Sequence, residues 1–159
     1  MSKTGLKRKG KEKYYTSLAV VKKLLVSYNK IIERNDTDLW IEPSAGNGSF
    51  TSYLGDRNLV AYDIAPEGDN IIKQDFFDLN LDIWSIPLHF IGNPPFGRQS
   101  SIAIQFIKRI TACEKTKSLA FILPKSFKKD SMKRYFPLNY HLEHEEDVDK
   151  DGFTMEGTN

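Results

Sequence analysis

The 159-residue chain contains a single cysteine, Cys113. One thiol excludes an internal disulfide, so an intracellular, reducing compartment, cytoplasm or nucleus, is expected. No apolar run approaches the ~20 residues that a membrane-spanning helix needs, so no membrane partner is expected. The N-terminus is basic but no apolar core follows it, so a secretory signal is not expected either.

Clusters of metal-ligating or hydrolytic residues are also scarce. The three histidines are His89, His141 and His144. The last two can pair, but no cysteine or third histidine lies near them, so no metal site is predicted. No Ser-His-Asp arrangement is evident. Cys113 falls on the apolar face of a predicted helix, which favours a place in the core.

Composition and charge divide the chain into three parts. With 40% hydrophobic and 12% aromatic residues, a single domain with its own core is expected over residues 14–147. Residues 1–13 form a basic, flexible arm whose six cations face one acid. Such an arm attracts polyanions, although a solvated terminus is the alternative. Residues 148–159 form a polar, acidic tail that is expected to be solvated.

Hydrophobic periodicity predicts alternating strands and helices. Thr16 is the expected cap of a first helix that runs to about residue 34. Shorter or later helices are expected at 50–54, from 100 and at 130–135, and strands at 39–42, 59–63, within 70–77, and at 88–93, 118–124 and 140–148. Several strands are apolar on both faces. This pattern predicts an α/β fold with a doubly wound, Rossmann-like sheet.

A glycine-rich loop, "EPSAGNGSF", follows the first of the sheet strands. In doubly wound sheets, ligands bind beyond the carboxyl ends of the strands. Gly46 and Gly48 allow a ligand to approach the backbone closely. Thr51 stands where a dinucleotide fingerprint needs its third glycine, and no P-loop lysine follows. The loop therefore suits a ligand smaller than a pyrophosphate, with an ordinary tight turn as the alternative.

Two further acidic positions fall at strand ends. Asp63 ends the second strand and can accept hydrogen bonds from both hydroxyls of a ribose, or else cap a helix. Asp75 can bind the exocyclic amine of an adenine, and Phe76 can cover its flat face. Core packing is the alternative for Phe76 and Phe77.

The segment "HFIGNPPFG" stops an apolar strand with Asn93, Pro94, Pro95 and Phe96. The prolines fix the backbone, so the Asn93 amide oxygen and the Pro94 carbonyl become two fixed acceptors beside the Phe96 ring. This combination suits a planar ring with an exocyclic amine, such as adenine. The catalysis required is orientation toward an electrophile, for which a sulfonium methyl group is suitable.

These motifs resemble class I S-adenosylmethionine-dependent methyltransferases of the N6-adenine type. "NPPF" is similar to their catalytic motif, "IEPSAGNGSF" to their cofactor loop, and "YYTS" to their amino-terminal motif. The resemblance covers residues 14–147. It implies S-adenosylmethionine as cofactor and methyl transfer to the N6 of adenine in RNA or DNA.

The resemblance also assigns site residues. The methionine end of the cofactor would meet Tyr15 and Thr16. The cofactor loop would be formed by Glu42, Ala45, Gly46 and Gly48. Asp63 would bind the cofactor ribose, and Asp75 and Phe76 would bind its adenine. The target base would be held by Asn93, Pro94, Pro95 and Phe96.

Two departures from the family pattern concern the end of the chain. The family sheet has seven strands, whereas this sequence predicts six, so the last strand is expected to be missing. A partner or a second copy could complete the sheet. No target-recognition domain is expected, so nucleic acid would be held by the arm and by Lys125, Lys128, Lys129, Lys133 and Arg134. The alternatives are a glutamine N5 protein methyltransferase and an inactive binding module of the same fold.

Overall fold

The computed structural model describes residues 14–55, 57–148 and 153–155. The predicted arm (residues 1–13) and most of the predicted tail lie outside the described residues. The strands are β1 (Tyr14–Thr16), β2 (Leu39–Glu42), β3 (Leu59–Asp63), β4 (Ile72–Lys73), β5 (Leu88–Gly92), β6 (Thr116–Phe121) and β7 (Phe153–Met155). The α-helices are α1 (Leu18–Ile31), α2 (Ser49–Leu54) and α3 (Ser101–Ala112). In the described part of the chain, no helix is both long and apolar enough to cross a bilayer.

Five strands form one parallel sheet in the order β4-β3-β2-β5-β6. The chain runs outward from the central strand β2 to β4, and then returns to the other side of β2 for β5 and β6. The strand order therefore reverses between β2 and β5. This α/β architecture is compatible with a Rossmann-like fold, and its reversal point marks the crevice where such sheets bind ligands.

Two hydrophobic cores cover the two faces of the sheet. On one face, α1 and α2 pack on Trp40 and Ile91. On the other face, α3 packs on Ile41 and Phe90, and Cys113 joins this second core as predicted. Adjacent strand residues face opposite sides, so each central strand needs an unbroken apolar run. This explains why β2 and β5 are buried along their whole length.

The sixth strand predicted near residues 140–148 does not form; this segment has no strand in the structure. Most of its side chains are exposed, and two of its four acids, Glu146 and Asp147, make side-chain contacts in place of a strand ladder. Asp147 meets Lys128 at 2.6 Å, and Glu146 meets His144 at 3.1 Å. The strand prediction for this polar segment was therefore wrong. Within the described chain, the sheet ends at β6.

Three local predictions also change. The cap of α1 is Ser17, whose hydroxyl accepts from the Val20 amide at 3.3 Å, and not Thr16. The third sheet strand is only two residues long, because Asp75 caps a 3-10 helix (Phe76–Asp78) immediately afterwards. Part of the tail is a strand: β7 pairs antiparallel with β1 in a separate two-stranded sheet.

Candidate functional site at the carboxyl ends of the strands

The glycine loop lies between β2 and α2 and is fastened to the neighbouring strand. The Ala45 amide donates to the Tyr62 carbonyl at 2.8 Å. Gly46 (φ +58°) and Gly48 (φ +88°) both adopt left-handed backbone conformations. Only glycine enters this region without steric cost, so both glycines are required by the shape of the loop.

Asp63 fastens the same loop from the end of β3. Its Oδ2 accepts from the Gly46 amide and its Oδ1 from the Ala65 amide, both at 2.8 Å. The side chain is buried. Each carboxylate oxygen still has a second acceptor position, so ribose binding by Asp63 stays a prediction. What the structure adds is a loop-holding role that resembles the capping alternative.

Glu42, at the end of β2, is almost completely buried and is a neutral acid at pH 7. Burial raises the pKa of its carboxyl to about 8; the hydrogen bond from Thr51 opposes the rise and the charge of Asp63 adds to it. The Thr51 hydroxyl donates to Glu42 Oε2 at 2.8 Å. Two acidic side chains thus lie beside the glycine loop, and burial keeps the carboxyl of Glu42 protonated near neutral pH.

A cavity of about 380 Å³ opens between β1 and the glycine loop. Its lining is rich in hydroxyl and amide groups: Tyr15, Thr16, Ser17, Leu18, Asn47, Gly48, Ser49 and Ser52. The Tyr15 ring lies over Gly46, where an added Cβ would approach it to 3.9 Å. The Tyr15 hydroxyl donates to Glu67, a residue that the sequence did not single out. The amide of Glu67 in turn donates to the Gly46 carbonyl at 3.0 Å.

The segment Asn93–Phe96 follows β5 and lies at the same carboxyl-terminal edge of the sheet, here called the rim, as the glycine loop. Pro94 is buried, Pro95 is exposed, and the Phe96 ring is 37% exposed. The Phe96 carbonyl accepts from the amides of Ile102 and Ala103 at 3.1 and 3.3 Å, which joins the segment to the start of α3. The aromatic side chain therefore stands on a fixed backbone and presents an open face.

A tight turn of left-handed residues follows Phe96. Gly97 has φ +73°, and a Cβ there would come within 2.5 Å of the Ile102 side chain. Gln99 (φ +52°) and Ser100 (φ +62°) also have positive φ angles, which is uncommon for residues with a side chain. Such local strain persists where the surrounding structure holds it, and often next to a functional segment.

The amide of Asn93 contacts the strand β1. Its Nδ2 donates to the Thr16 hydroxyl oxygen at 3.1 Å. In the part of the chain that the structure describes, no donor meets Asn93 Oδ1. Thr16, which was predicted at the methionine end of the cofactor, is thus placed against the catalytic candidate as well as beside the cavity.

Phe76 is not at the rim, and its predicted contact with a cofactor adenine is wrong. The ring is 2% exposed and stacks on Phe106, with centroids 5.0 Å apart. The Arg109 guanidinium lies over the Phe76 ring at 5.6 Å. The 3-10 turn directs the first aromatic residue inward, so the core-packing alternative holds for Phe76.

Asp75 starts that turn. Its Oδ1 accepts from the Phe77 amide at 2.9 Å, which is a capping contact. The sequence offered this residue as a partner for the exocyclic amine of adenine, and the cap occupies one of its two carboxylate oxygens. Binding of an amine by the other oxygen stays a prediction.

A second polar network, which the sequence did not reveal, crosses the amino-terminal half of the sheet. His89 Nε2 lies 2.8 Å from Asp38 Oδ2, and His89 Nδ1 lies 2.6 Å from the Ser118 hydroxyl. Ser118 also hydrogen-bonds Tyr28, which accepts from the Trp40 indole at 2.8 Å. These are the residue types of a hydrolytic triad, but His89 is only 2% exposed. The imidazole is therefore shielded from solvent, and the network ties neighbouring strands together.

The pKa directions agree with a neutral imidazole in this network. Burial lowers the pKa of His89 below its ordinary value, although Asp38 favours protonation. Burial alone would raise the pKa of Asp38, but hydrogen bonds from Asn35 and His89 outweigh it and hold that pKa low. Nε2–H then donates to Asp38, and Nδ1 accepts from Ser118.

The lysine-rich segment after β6 is partly neutralised within the chain. Lys128 pairs with Asp147, and Lys133 pairs with Asp130 at 3.0 Å. Lys125 and Lys129 are exposed, as is Arg134, whose guanidinium lies over the Tyr135 ring at 4.9 Å. Among the described residues, no group of three or more His, Cys, Asp or Glu side chains could hold a metal ion.

The rim can be compared with what an adenosine-containing sulfonium requires. The left-handed glycines leave the loop backbone uncovered, and the adjoining cavity is lined by hydroxyl and amide groups. Asp63 retains acceptor capacity for the hydroxyl groups of a ribose. These features fit such a ligand. The buried Phe76 removes one predicted contact and leaves the others.

Comparison with known proteins adds no relative: no protein-family model matches the chain, and no curated protein matches it. The likeness to methyltransferases therefore stands on the motifs and on the rim described above. Because one fold serves many activities, function has to be argued from this site.

Proposed function

We propose that the protein is an S-adenosylmethionine-dependent methyltransferase that modifies the exocyclic N6 of adenine in RNA or DNA. The observation that carries this proposal is the state of Asn93. Its amide nitrogen is engaged by Thr16, while its oxygen has no described donor. A fixed, unoccupied acceptor beside an exposed ring is what a planar amine requires.

The target base is held by three groups of the segment after β5. Asn93 Oδ1 and the Pro94 carbonyl would each accept a hydrogen bond from one N–H of the target amine. These two bonds would turn the nitrogen lone pair out of the plane of the base. Phe96, which is 37% exposed, stacks on the base. Stacking on an aromatic side chain contributes about 1–3 kcal/mol per base. The segment thereby supplies orientation and proximity, and no general base is needed for the amine to attack.

The cofactor would be held by the neighbouring loop. When bound, it supplies a methyl group on a positively charged sulfur. The loop backbone at Ala45, Gly46 and Gly48 would face it, Asp63 would accept from its ribose hydroxyls, and Tyr15 would cover the loop. Because Gly46 and Asn93 follow the adjacent strands β2 and β5, both ligands meet at the point where the strand order reverses.

Nucleic acid as the substrate is supported by charge. Lys125 and Lys129 are exposed in the segment that follows β6. Strand β6 pairs with β5, the strand that Asn93 follows. Six of the first thirteen residues are basic. Cations of this kind bind phosphates without reading sequence, and their contribution falls as salt rises.

Mass spectrometry of modified residues tests the proposal. The protein should be incubated with labelled cofactor and, separately, with RNA, single- and double-stranded DNA, and a protein mixture, followed by digestion. The expected product is N6-methyladenine in one nucleic-acid class, formed by the parent and lost in Asn93→Ala. N5-methylglutamine in the protein digest would instead support the amide-modifying alternative. Cofactor binding with no product on any substrate would support an inactive binding module.

A further inference from the structure

The hydrogen bond between Asn93 and Thr16 raises the question of which way the amide is turned. An asparagine amide presents an acceptor oxygen or a donor NH₂ after a half-turn. A target amine offers only N–H donors toward Asn93. If the Asn93 NH₂ pointed outward, two donors would face each other and no hydrogen bond could form. Only the orientation in which Nδ2 points to Thr16 leaves Oδ1 for the amine, and the structure has this orientation at 3.1 Å.

Thr16 is well placed to act as that acceptor. It is the last residue of β1 and is 6% exposed. Its backbone is restrained on one side by pairing with Phe153 of β7. On the other side, Ser17 caps α1. A hydroxyl held between a paired strand and a capped helix has little freedom to move away from Asn93.

We propose that Thr16 is a positioning residue for methyl transfer, which holds the Asn93 amide with its oxygen toward the target amine. This inference rests on the proposed function. It differs from the role that the family resemblance implies for Thr16, which is contact with the methionine end of the cofactor. The two roles predict different kinetics, since one concerns the transfer step and the other concerns cofactor affinity.

The test uses the full chain with Thr16→Val, which removes the hydroxyl and keeps the shape, and Thr16→Ser, which keeps the hydroxyl. Single-turnover methyl transfer to the adenine substrate is measured at saturating cofactor, and the cofactor Kd is measured by calorimetry. Thr16→Val should slow transfer about 3- to 10-fold, the range for loss of one neutral hydrogen bond, with the cofactor Kd within about 2-fold of the parent. Thr16→Ser should restore most of the rate.

Two further measurements make the result specific to Asn93. In an Asn93→Ala background, adding Thr16→Val should not lower the rate further, since the acceptor then has no amide to hold. The side-chain amide signals of Asn93 in an NMR spectrum, assigned by their loss in Asn93→Ala, should shift in Thr16→Val and return in Thr16→Ser. This spectroscopic readout does not require turnover. If Thr16→Val fails to fold, Thr16→Ala is measured in the same way.

The outcomes separate the two proposals. An active parent whose transfer rate and Asn93 signals are unchanged by Thr16→Val overturns the positioning role alone. So does an active parent in which Thr16→Val weakens cofactor binding more than 10-fold but transfers at the parental rate when saturated. A parent that transfers no methyl group to any adenine overturns the proposed function, and the positioning role falls with it.

Discussion

The two ends of the parallel sheet carry polar networks that differ in how completely they are satisfied. At the amino-terminal end, both ring nitrogens of the buried His89 have partners, Asp38 and the partly exposed Ser118. At the carboxyl-terminal rim, Asn93 Nδ2 has a partner, whereas no donor from the described residues reaches its Oδ1, and the Phe96 ring is 37% exposed. A closed network indicates a structural role, whereas a fixed but incomplete one indicates that a ligand completes it.

The ionisable groups also differ between the closed end, at Asp38, His89 and Ser118, and the open end, at the rim around Asn93 and Phe96. His89 at the closed end is neutral because burial lowers its pKa. Glu42 at the open end is neutral because burial raises its pKa to about 8. Stability should therefore respond to pH in opposite directions at the two ends. Substitutions of Asn93 and Phe96 at the open end should lower activity without changing the free energy of unfolding. Substitutions at the closed end should lower the free energy of unfolding without changing activity.

The largest effect is expected from Asn93→Ala, at the open end. Loss of one preorganised polar contact at a reacting centre typically lowers the rate by ~10²–10³. Single-turnover methyl transfer at saturating cofactor measures this loss. Asn139→Ala, at an exposed turn, is the control and should transfer as fast as the parent. Thermal unfolding of both variants should stay close to that of the parent.

His89→Ala should have the converse effect at the closed end. It leaves Asp38 and Ser118 without their buried partner and opens a cavity, so the free energy of unfolding should fall by roughly 3 kcal/mol. Denaturant titration measures this change, with the exposed His141→Ala as control. Cofactor affinity of the folded variant should stay parental. If His89→Ala had the same free energy of unfolding as the parent, the network would contribute nothing to the stability of the fold.

The same substitution should change how stability depends on acid. In the folded parent the pKa of His89 is lowered below its ordinary 6.5. Below that pH the unfolded chain binds a proton that the folded chain excludes, so stability falls as pH decreases from 6.5 toward the lowered pKa. His89→Ala removes this contribution and should flatten the profile over that interval.

Phe96→Ala should weaken capture of the base at the open end. The expected loss is about 1–3 kcal/mol of substrate affinity from base stacking. Equilibrium binding of an adenine-containing oligonucleotide measures it, with cofactor affinity unchanged. Ile83→Ala, which removes an apolar side chain that is 63% exposed elsewhere, is the control. Equal binding by Phe96→Ala and the parent would remove the ring from the substrate site.

Glu42→Gln should change how the free energy of unfolding depends on pH. Between pH 4.5 and about 8 the folded chain keeps a proton on Glu42 that the unfolded chain has lost. Stability of the parent should therefore decrease as pH rises through this window, by at most ~1.4 kcal/mol per pH unit. Glu42→Gln should abolish that part of the slope, whereas Glu143→Gln, at an exposed site, should leave it. Denaturant titrations at several pH values provide the comparison.

Sequence reasoning found the open end because its features are local. The glycine loop and Asn93–Phe96 each lie within a few residues of a strand end, and apolar runs locate those strands. Parallel strands place their carboxyl ends on one edge, so the rim follows from the strand assignment. Phe76 was misjudged because an aromatic residue after a strand can turn either way, and the 3-10 turn that decides this is set by the Asp75 cap.

The closed end could not be found in the same way. Asp38, His89 and Ser118 are far apart in sequence and come together only through the pairing of β2 with β5 and of β5 with β6. The contact between Thr16 and Asn93 spans 77 residues and depends on where β1 docks. Both networks follow from strand order and register, which a hydrophobic pattern does not specify.

If the rim around Asn93 transfers methyl groups to adenine, N6-methyladenine should form from labelled cofactor, and its yield can be measured. Parent, Asn93→Ala and His89→Ala are assayed side by side on the nucleic acid that the parent modifies, below the unfolding temperature of every variant and with each cofactor Kd determined. We expect product from the parent and from folded His89→Ala, and almost none from Asn93→Ala, although this variant should bind the cofactor as tightly as the parent. Equal product from Asn93→Ala and the parent, or no product from the parent on any nucleic acid, would contradict this expectation.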